Sequence, residues 1–387
     1  MDMRKGDDLM GKNVGELSEI DLKNLIEEYY MGVKTDELIR KYDLNCNSTS
    51  IYKYFPPMVF SDFKCEFCGS ALVMDRISKT KSKLPRDKKE LYCPICGHKP
   101  YIQKCNCENC NKKREKKLEE KRDLIYSAYS YYPKGVSFDL LDFKIKVFLG
   151  TLCRGLLREN LFEIGSYQDS NVKLMPLQSE LLKNIYNDLI KNQVIVVNPN
   201  SKIEAFEDGE DFPNVYYTYE VEYNLNVDYG KSKKDMVYKI LNPSYYTQKN
   251  SECAYQLWVE IAVEECIEYL IYQLKKVDMN FSPGEKTYMI IKNMLEKFSV
   301  SQIYGIIWKG VTEATRFLVE NKTTKQHAAN TVIGFCQRYS ERAIENNWNL
   351  KDFGRIRDLP QSVLSEFFFY KVLNIGELGF KMPPTYI

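Results

Sequence analysis

Three short runs decide how this chain is read: CEFCGS at residues 65–70, CPICGH at 93–98 and CNCENC at 105–110. The first two each hold a Cys-x2-Cys pair, which turns two sulfurs toward one point. Two such pairs complete a tetrahedron of thiolates, the geometry that zinc prefers. Gly69 and Gly97 follow the second cysteine of each pair, where the tight turn calls for an unusual backbone angle. The third run adds Cys105, Cys107 and Cys110, one ligand short of a second tetrahedron, and His98 is the nearest spare ligand. The expected arrangement is Cys65, Cys68, Cys93 and Cys96 around one zinc ion, and His98, Cys105, Cys107 and Cys110 around a second. Interleaved pairing meets the same ligand count, and Cys46 is an alternative to His98. Both sites are expected to be structural. A catalytic zinc keeps an open position beside a general base, and a zinc deaminase places His-x-Glu before its cysteine pair. Neither pattern is present.

The two knuckles and their spacing resemble a zinc ribbon, in which a β-hairpin and loop span the gap. Structural zinc supplies folding energy that a short polar segment lacks. The gap carries KTKSKLPRDKK at 79–89. From Lys64 to Arg122 there are 17 Lys and Arg against 8 Asp and Glu, while the whole chain is near balance at 55 against 53. Seven thiolates with two zinc ions would lower that excess by about 3 charges and leave the block basic. A basic block in an otherwise acidic chain points to a polyanion partner. Lys79, Lys81, Lys83, Lys88 and Lys89 are the candidates for phosphate contact. A charged helix is expected over 111–132; as a solvated linker it would need no partner.

Upstream, Ser18 and Asp21 stand in capping-box positions, and Leu22, Leu25, Ile26 and Tyr29 follow at helical spacing. Gly32 breaks this helix. Thr35 is expected to cap a second one with Leu38, Ile39 and Tyr42 inside. Ser48 is expected to cap a third, running through Ile51, Tyr52 and Phe55 to Pro56-Pro57, where proline ends it. The stretch LSEIDLKNLIEEYYMGVKTDELIRKYDLNCNSTSIYKYFPP (17–57) resembles the helix-turn-helix modules of bacterial regulators and recombinases. That resemblance implies duplex DNA as partner, with Ser48, Thr49, Ser50, Tyr52 and Lys53 facing it. The alternative is a small helical domain that only packs or dimerises.

Downstream, helices are expected at 143–158 (Ile145, Phe148, Leu149, Leu152 and Leu156 inward) and 177–192 (Leu177, Leu181, Leu182, Ile185 and Leu189 inward). Strands follow at 194–197 and 203–206. This order resembles a winged helix. The acidic run Glu207, Asp208, Glu210 and Asp211 would repel DNA, so the module is expected to dock protein. Residues 215–227 alternate cleanly and predict one long half-buried strand, with Val215, Tyr217, Tyr219, Val221, Tyr223, Leu225 and Val227 on one face. Amphipathic helices then follow at 252–277, 300–320, 324–346 and 360–374. Ser282-Pro283-Gly284-Glu285 and Ser299 with Gln302 read as capping boxes. Glu260, Glu264, Glu265 and Glu268 read as a solvated helix face, and GFKMPPTYI at the end as extended.

The fold class expected is mainly α and multidomain. The parts are a helix-turn-helix (1–62), a zinc ribbon (63–110), a linker helix (111–133), an α/β winged-helix-like domain (134–249) and a helical bundle (250–387) that dimerises or binds a partner. No apolar run is long enough to span a membrane. Residues 1–8 are charged and unlike a secretion signal. A cytoplasmic chain is therefore expected, in which 12 Cys point to metal rather than disulfides. No P-loop, GxGxxG, GxSxG or HExxH is present, and His327 has no nucleophile motif to serve. The function expected is that of a zinc-stabilised DNA-binding protein in transcription control, mobile-element function or phage defence, rather than an enzyme. Two other classes fit: a nuclease or other enzyme whose carboxylates meet only in the fold, and a protein-interaction scaffold.

Overall fold

The computed structural model describes residues 12–176, 179–230 and 232–385, so the N-terminal residues 1–8 and the expected inward Leu177 lie outside the described residues. Among the described residues the chain is mainly helical with two small antiparallel sheets. It divides into two compact units, Met1–Glu120 and Lys121–Ile387.

In the first unit, α1 (Glu19–Met31) and α2 (Thr35–Lys41) pack around Leu25, Tyr29, Leu38, Leu44, Ile51 and Phe55. The Ser18 hydroxyl accepts from the Asp21 N–H at 3.1 Å and starts α1. Gly32 ends it at φ 104°, a left-handed angle that costs a residue with Cβ. Two expectations differ here. The N-cap of α2 is Lys34, with Thr35 already inside the helix. The third helix is a single 3₁₀ turn, Ile51–Tyr54, with Ser50 rather than Ser48 before it. Proline at 56 and 57 leaves no room to extend that turn, because it can neither donate nor follow helical geometry without clash.

Strands β1 (Met58–Lys64) and β2 (Ala71–Met74) pair antiparallel, Met58 opposite Met74 and Phe60 opposite Leu72. Tyr92 bridges to Val73, so the second knuckle joins the same small sheet. Leu72, Met74 and Leu91 fill the space beneath with Cys65 and Cys93. The Tyr30 hydroxyl donates to Ile77 O at 2.7 Å, and Arg76 Nε to Pro56 O at 2.9 Å, tying the helix pair to the hairpin. The helix α3 (Glu108–Tyr129) begins earlier than expected and contains the division between the units.

The second unit has one continuous core, from Ile125 to Phe380. The helix α4 (Phe143–Leu156) is buried on almost every side, while α5 (Glu180–Lys191) buries Leu181, Leu182, Ile185, Tyr186 and Leu189. Strands β3 (Glu163–Ile164), β4 (Ile195–Val197) and β5 (Tyr223–Leu225) form an antiparallel sheet in the order β3-β5-β4. Residues 203–206 are not a strand but a 3₁₀ turn over Ile203–Ala205, with only Phe206 bridged, to Tyr216. The long strand expected over 215–227 shrinks to β5. The chain turns at Tyr217, whose carbonyl accepts from the Glu220 and Val221 N–H groups. Val215 and Tyr217, expected inward, are 43% and 49% exposed. Asn224 and Asn226, expected outward, are buried, donating to Tyr132 Oη and Gln193 O at 2.8 Å each. Alternation was present, but the rings of Tyr186, Tyr219 and Tyr223 cluster together, and a straight strand cannot bring that about.

The helices α6 (Lys233–Leu241), α7 (Ser251–Lys276), α8 (Glu285–Leu295), α9 (Val300–Asn321) and α10 (Lys325–Glu345) complete most of the unit. The Ser299–Gln302 capping box forms, both bonds at 3.2 Å, whereas Gly284 caps α8 without a side chain. The helix α11 (Val363–Phe367) runs into a π turn over Phe368–Val372, and α12 (Leu378–Lys381) makes part of the expected extended end helical. The expected boundary at 249/250 cuts across the shared core, since Leu149 and Ile185 belong to the same cluster as Leu257 and Ile303. The four glutamates of α7 are not a solvated face. Glu260 pairs with Lys144, Glu268 with Lys173, and Glu265 accepts both Arg355 Nη groups at 3.0 and 3.1 Å and the Ser365 hydroxyl at 2.7 Å. Among the described residues no helix is long and apolar enough to cross a membrane.

Candidate metal centre

The structure brings all eight expected ligands into two groups: Cys65, Cys68, Cys93 and Cys96 in one, His98, Cys105, Cys107 and Cys110 in the other. Within each group the ligand atoms lie within 4.8 Å of one another. Cys46 packs instead against the helical core of α1 and α2. The first group is built by two matching turns. The Cys65 carbonyl accepts from Gly69 N–H and the Cys93 carbonyl from Gly97 N–H, each at 2.9 Å. Gly69 and Gly97 have φ of 71° and 68°, so both knuckles use the backbone freedom expected of them.

Distances test the fit to a metal. Cys68 Sγ lies 3.4 Å from Cys93 Sγ, and Cys65 Sγ 3.6 Å from Cys96 Sγ. Metal–sulfur bonds of about 2.3 Å in a tetrahedron separate sulfurs by about 3.8 Å. In the second group His98 Nδ1 faces the thiols, 3.3 Å from Cys110 Sγ and 3.8 Å from Cys107 Sγ. Each group therefore fits one ion, with Nδ1 the histidine's ligand atom. The charge state of the thiols makes the same point. Burial pushes Cys93 up, but the Ser70 hydroxyl and the Cys96 and Ile95 N–H groups favour its thiolate and bring it to about 6. Cys96 is pushed up to about 12 by burial and by its neighbours Cys93 and Cys65. Cys105, at about 6, and Cys110, at about 12, repeat this pattern in the second group. Four crowded thiols in the first group, or three in the second, cannot all ionise without a cation between them, and a divalent ion supplies that charge.

Three further neighbours, none of them a cysteine or histidine, complete the surroundings of the two groups. The Ser70 hydroxyl lies 3.1 Å from both Cys68 and Cys93 Sγ. Glu66 Oε1 lies 3.3 Å from His98 Nε2, and the Phe67 ring meets the imidazole edge to face at 4.8 Å. Glu66 and Phe67 lie between the cysteines of the first knuckle and project from its fixed turn, and Ser70 follows that turn directly.

The candidate DNA contacts are more scattered. Thr49 and Lys53 are exposed, while Ser48, Ser50 and Tyr52 are half-buried. The Thr49 hydroxyl donates to Asn47 Oδ1 at 2.8 Å, which holds it in the local turn. Lys81, Lys83, Lys88 and Lys89 are exposed. Lys79 is not available in the same way: its Nζ donates to Val33 O at 2.6 Å and lies 5.3 Å from the Tyr29 ring centre. Several α3 cations face carboxylates, Lys112 with Glu108, Lys113 with Glu66 and Lys116 with Glu120.

The second unit holds a groove of about 630 Å³ lined by glutamates including Glu180, Glu252, Glu264 and Glu285 with Lys292. Its carboxylates do not converge: among the described residues the two cysteine-rich groups are the only sets of three or more ligand atoms that close. No protein family, curated protein or solved structure matches the chain.

Proposed function

We propose that the first unit is a zinc-stapled module that binds duplex DNA, mainly through phosphate contacts. Zinc is the ion of choice for closed sites of four thiolates or three thiolates with an imidazole. The observation that carries the DNA reading is the loop between the knuckles. Lys81, Lys83, Lys88 and Lys89 are exposed there, and among the described residues Lys81 and Lys83 form no ion pair. A cationic loop held at both ends by a stapled hairpin meets a polyanion with little loss of chain entropy. The resemblance of residues 17–57 to a helix-turn-helix supports the same partner. Its third element is one turn, so of the five candidates only Thr49 and Lys53 are exposed for base reading, and sequence preference is modest.

The test is binding of the full chain to labelled duplex DNA over a range of salt. Each phosphate contact adds about 0.9 to the log–log salt slope. Replacing Lys81, Lys83, Lys88 and Lys89 together with Ala is expected to weaken all duplexes alike and flatten the slope. Lys53→Ala is expected to change preference among duplexes instead. Unchanged affinity and slope in the four-Ala chain would overturn the reading and leave the scaffold class ahead.

A further inference from the structure

We infer that the two metal sites of the first unit are one coupled pair, and that Glu66 is the residue that couples them by positioning His98. This inference rests on the reading of both groups as metal sites. His98 belongs to both of them. Its carbonyl accepts from the Cys93 N–H at 2.8 Å and so closes the second knuckle of the four-thiolate site. Its Nδ1 faces the thiols of the other site. One residue further on, the Lys99 N–H donates to Cys105 Sγ at 3.3 Å. The backbone thus passes from one coordination sphere into the next without a spacer.

The imidazole needs more than a backbone anchor. His98 is 3% exposed, and its Nε2 has no aligned hydrogen bond. Glu66 Oε1 lies 3.3 Å away, off the line of the N–H, on a side chain that is 55% exposed and therefore able to turn into line. A metal-bound histidine gives its second N–H to a carboxylate or carbonyl in most sites, and that bond fixes the ring and leaves the other nitrogen's lone pair to the metal. Here the carboxylate comes from between Cys65 and Cys68, inside the first knuckle of the neighbouring site. Phe67, from the same turn, packs its ring against the imidazole at 86°. An ion in the four-thiolate site fixes that turn, and the turn carries both groups that hold His98. Thermodynamic linkage makes the dependence mutual: each ion raises the affinity of the other site by the same factor.

The experiment loads the full chain with cadmium and follows each site by its cadmium NMR signal. Four-sulfur and three-sulfur-one-nitrogen environments give separate signals, and competition with a chelator gives both affinities. Glu66→Ala is expected to weaken the histidine-containing site by about 10–100-fold while the four-sulfur signal persists. Glu66→Gln keeps an oxygen that accepts from Nε2–H and is expected to recover most of the loss. Cys110→Ser, which empties the second site, is expected to weaken the first. Independent sites would show parental affinities in Glu66→Ala and an unchanged first site in Cys110→Ser. Equal losses in the Ala and Gln variants would overturn the role given to the carboxylate. A parent chain that takes up no cadmium would instead overturn the metal reading itself.

Discussion

The two units of this chain are held together by different means. Around the hairpin of the first unit the buried cluster is Cys65, Leu72, Met74, Leu91 and Cys93, so two of its five members belong to the candidate metal centre. The second unit buries large side chains in one cluster, among them Trp258, Tyr186, Phe148 and Phe367, all less than 2% exposed. Apolar burial stabilises in proportion to area, and three aliphatic side chains supply too little of it to order the loops around them. The comparison teaches why turns are expected to depend on a ligand in the first unit and to support themselves in the second. What decides is how much apolar surface lies behind them.

The largest expected effect breaks the comparison open. A strong chelator is expected to unfold the segment from 58 to 110, because structural zinc contributes on the order of 10 kcal/mol per site. Limited proteolysis should then cut within 79–105 while the thermal transition of the second unit stays in place. Cleavage patterns that ignore the chelator would mean that the hairpin stands without metal.

The converse change lies in the second unit. Phe367 is fully buried, its ring facing Gly150 where a methyl group would lie 2.3 Å away. Phe367→Ala is expected to cost about 3–5 kcal/mol. It should lower the second unit's melting transition and leave metal content unchanged, as calorimetry and elemental analysis of one sample would show.

The smallest effect sharpens the picture of how the second unit tolerates buried charge. Burial raises Glu264 from 4.5 to about 7, although the Ser179 hydroxyl and Glu180 N–H, at the start of α5, pull the other way. An acid whose folded pKa is raised binds its proton more tightly folded than unfolded. Its contribution is fully present below about 4.5 and is lost as pH rises through about 7. Relative to the parent, Glu264→Gln should remove that decline. It should make the chain more stable by about 3 kcal/mol at alkaline pH, measured by urea unfolding across the window. Parallel pH profiles for parent and variant would contradict this.

How much of this could be read from sequence follows the range of the interactions. The eight ligand residues were legible, the first four because knuckles are local: Cys-x2-Cys and the following glycine fix the turn within six residues, whereas the grouping of the eight, and His98 rather than Cys46 in the second set, needed the fold. Ser299 with Gln302 was legible for the same reason. The α7 glutamates were not, since their spacing fits an exposed face and their partners Lys144, Lys173 and Arg355 lie far off in the chain. The strand expected over 215–227 failed for a related cause: packing of Tyr219 against Tyr167 and Tyr186 bends a segment whose alternation alone asks for straightness. Lys79 looked like its neighbours in a basic run, and only the fold shows its ammonium seated on Val33 O.

The central claim is that the first unit is built on two closed metal sites, and native mass spectrometry of the full chain, purified without added metal, tests it most directly. The account predicts a mass raised by two zinc ions, less the protons that the thiols lose on binding. A mass without metal, from a chain that is folded and has all its thiols free, would contradict it.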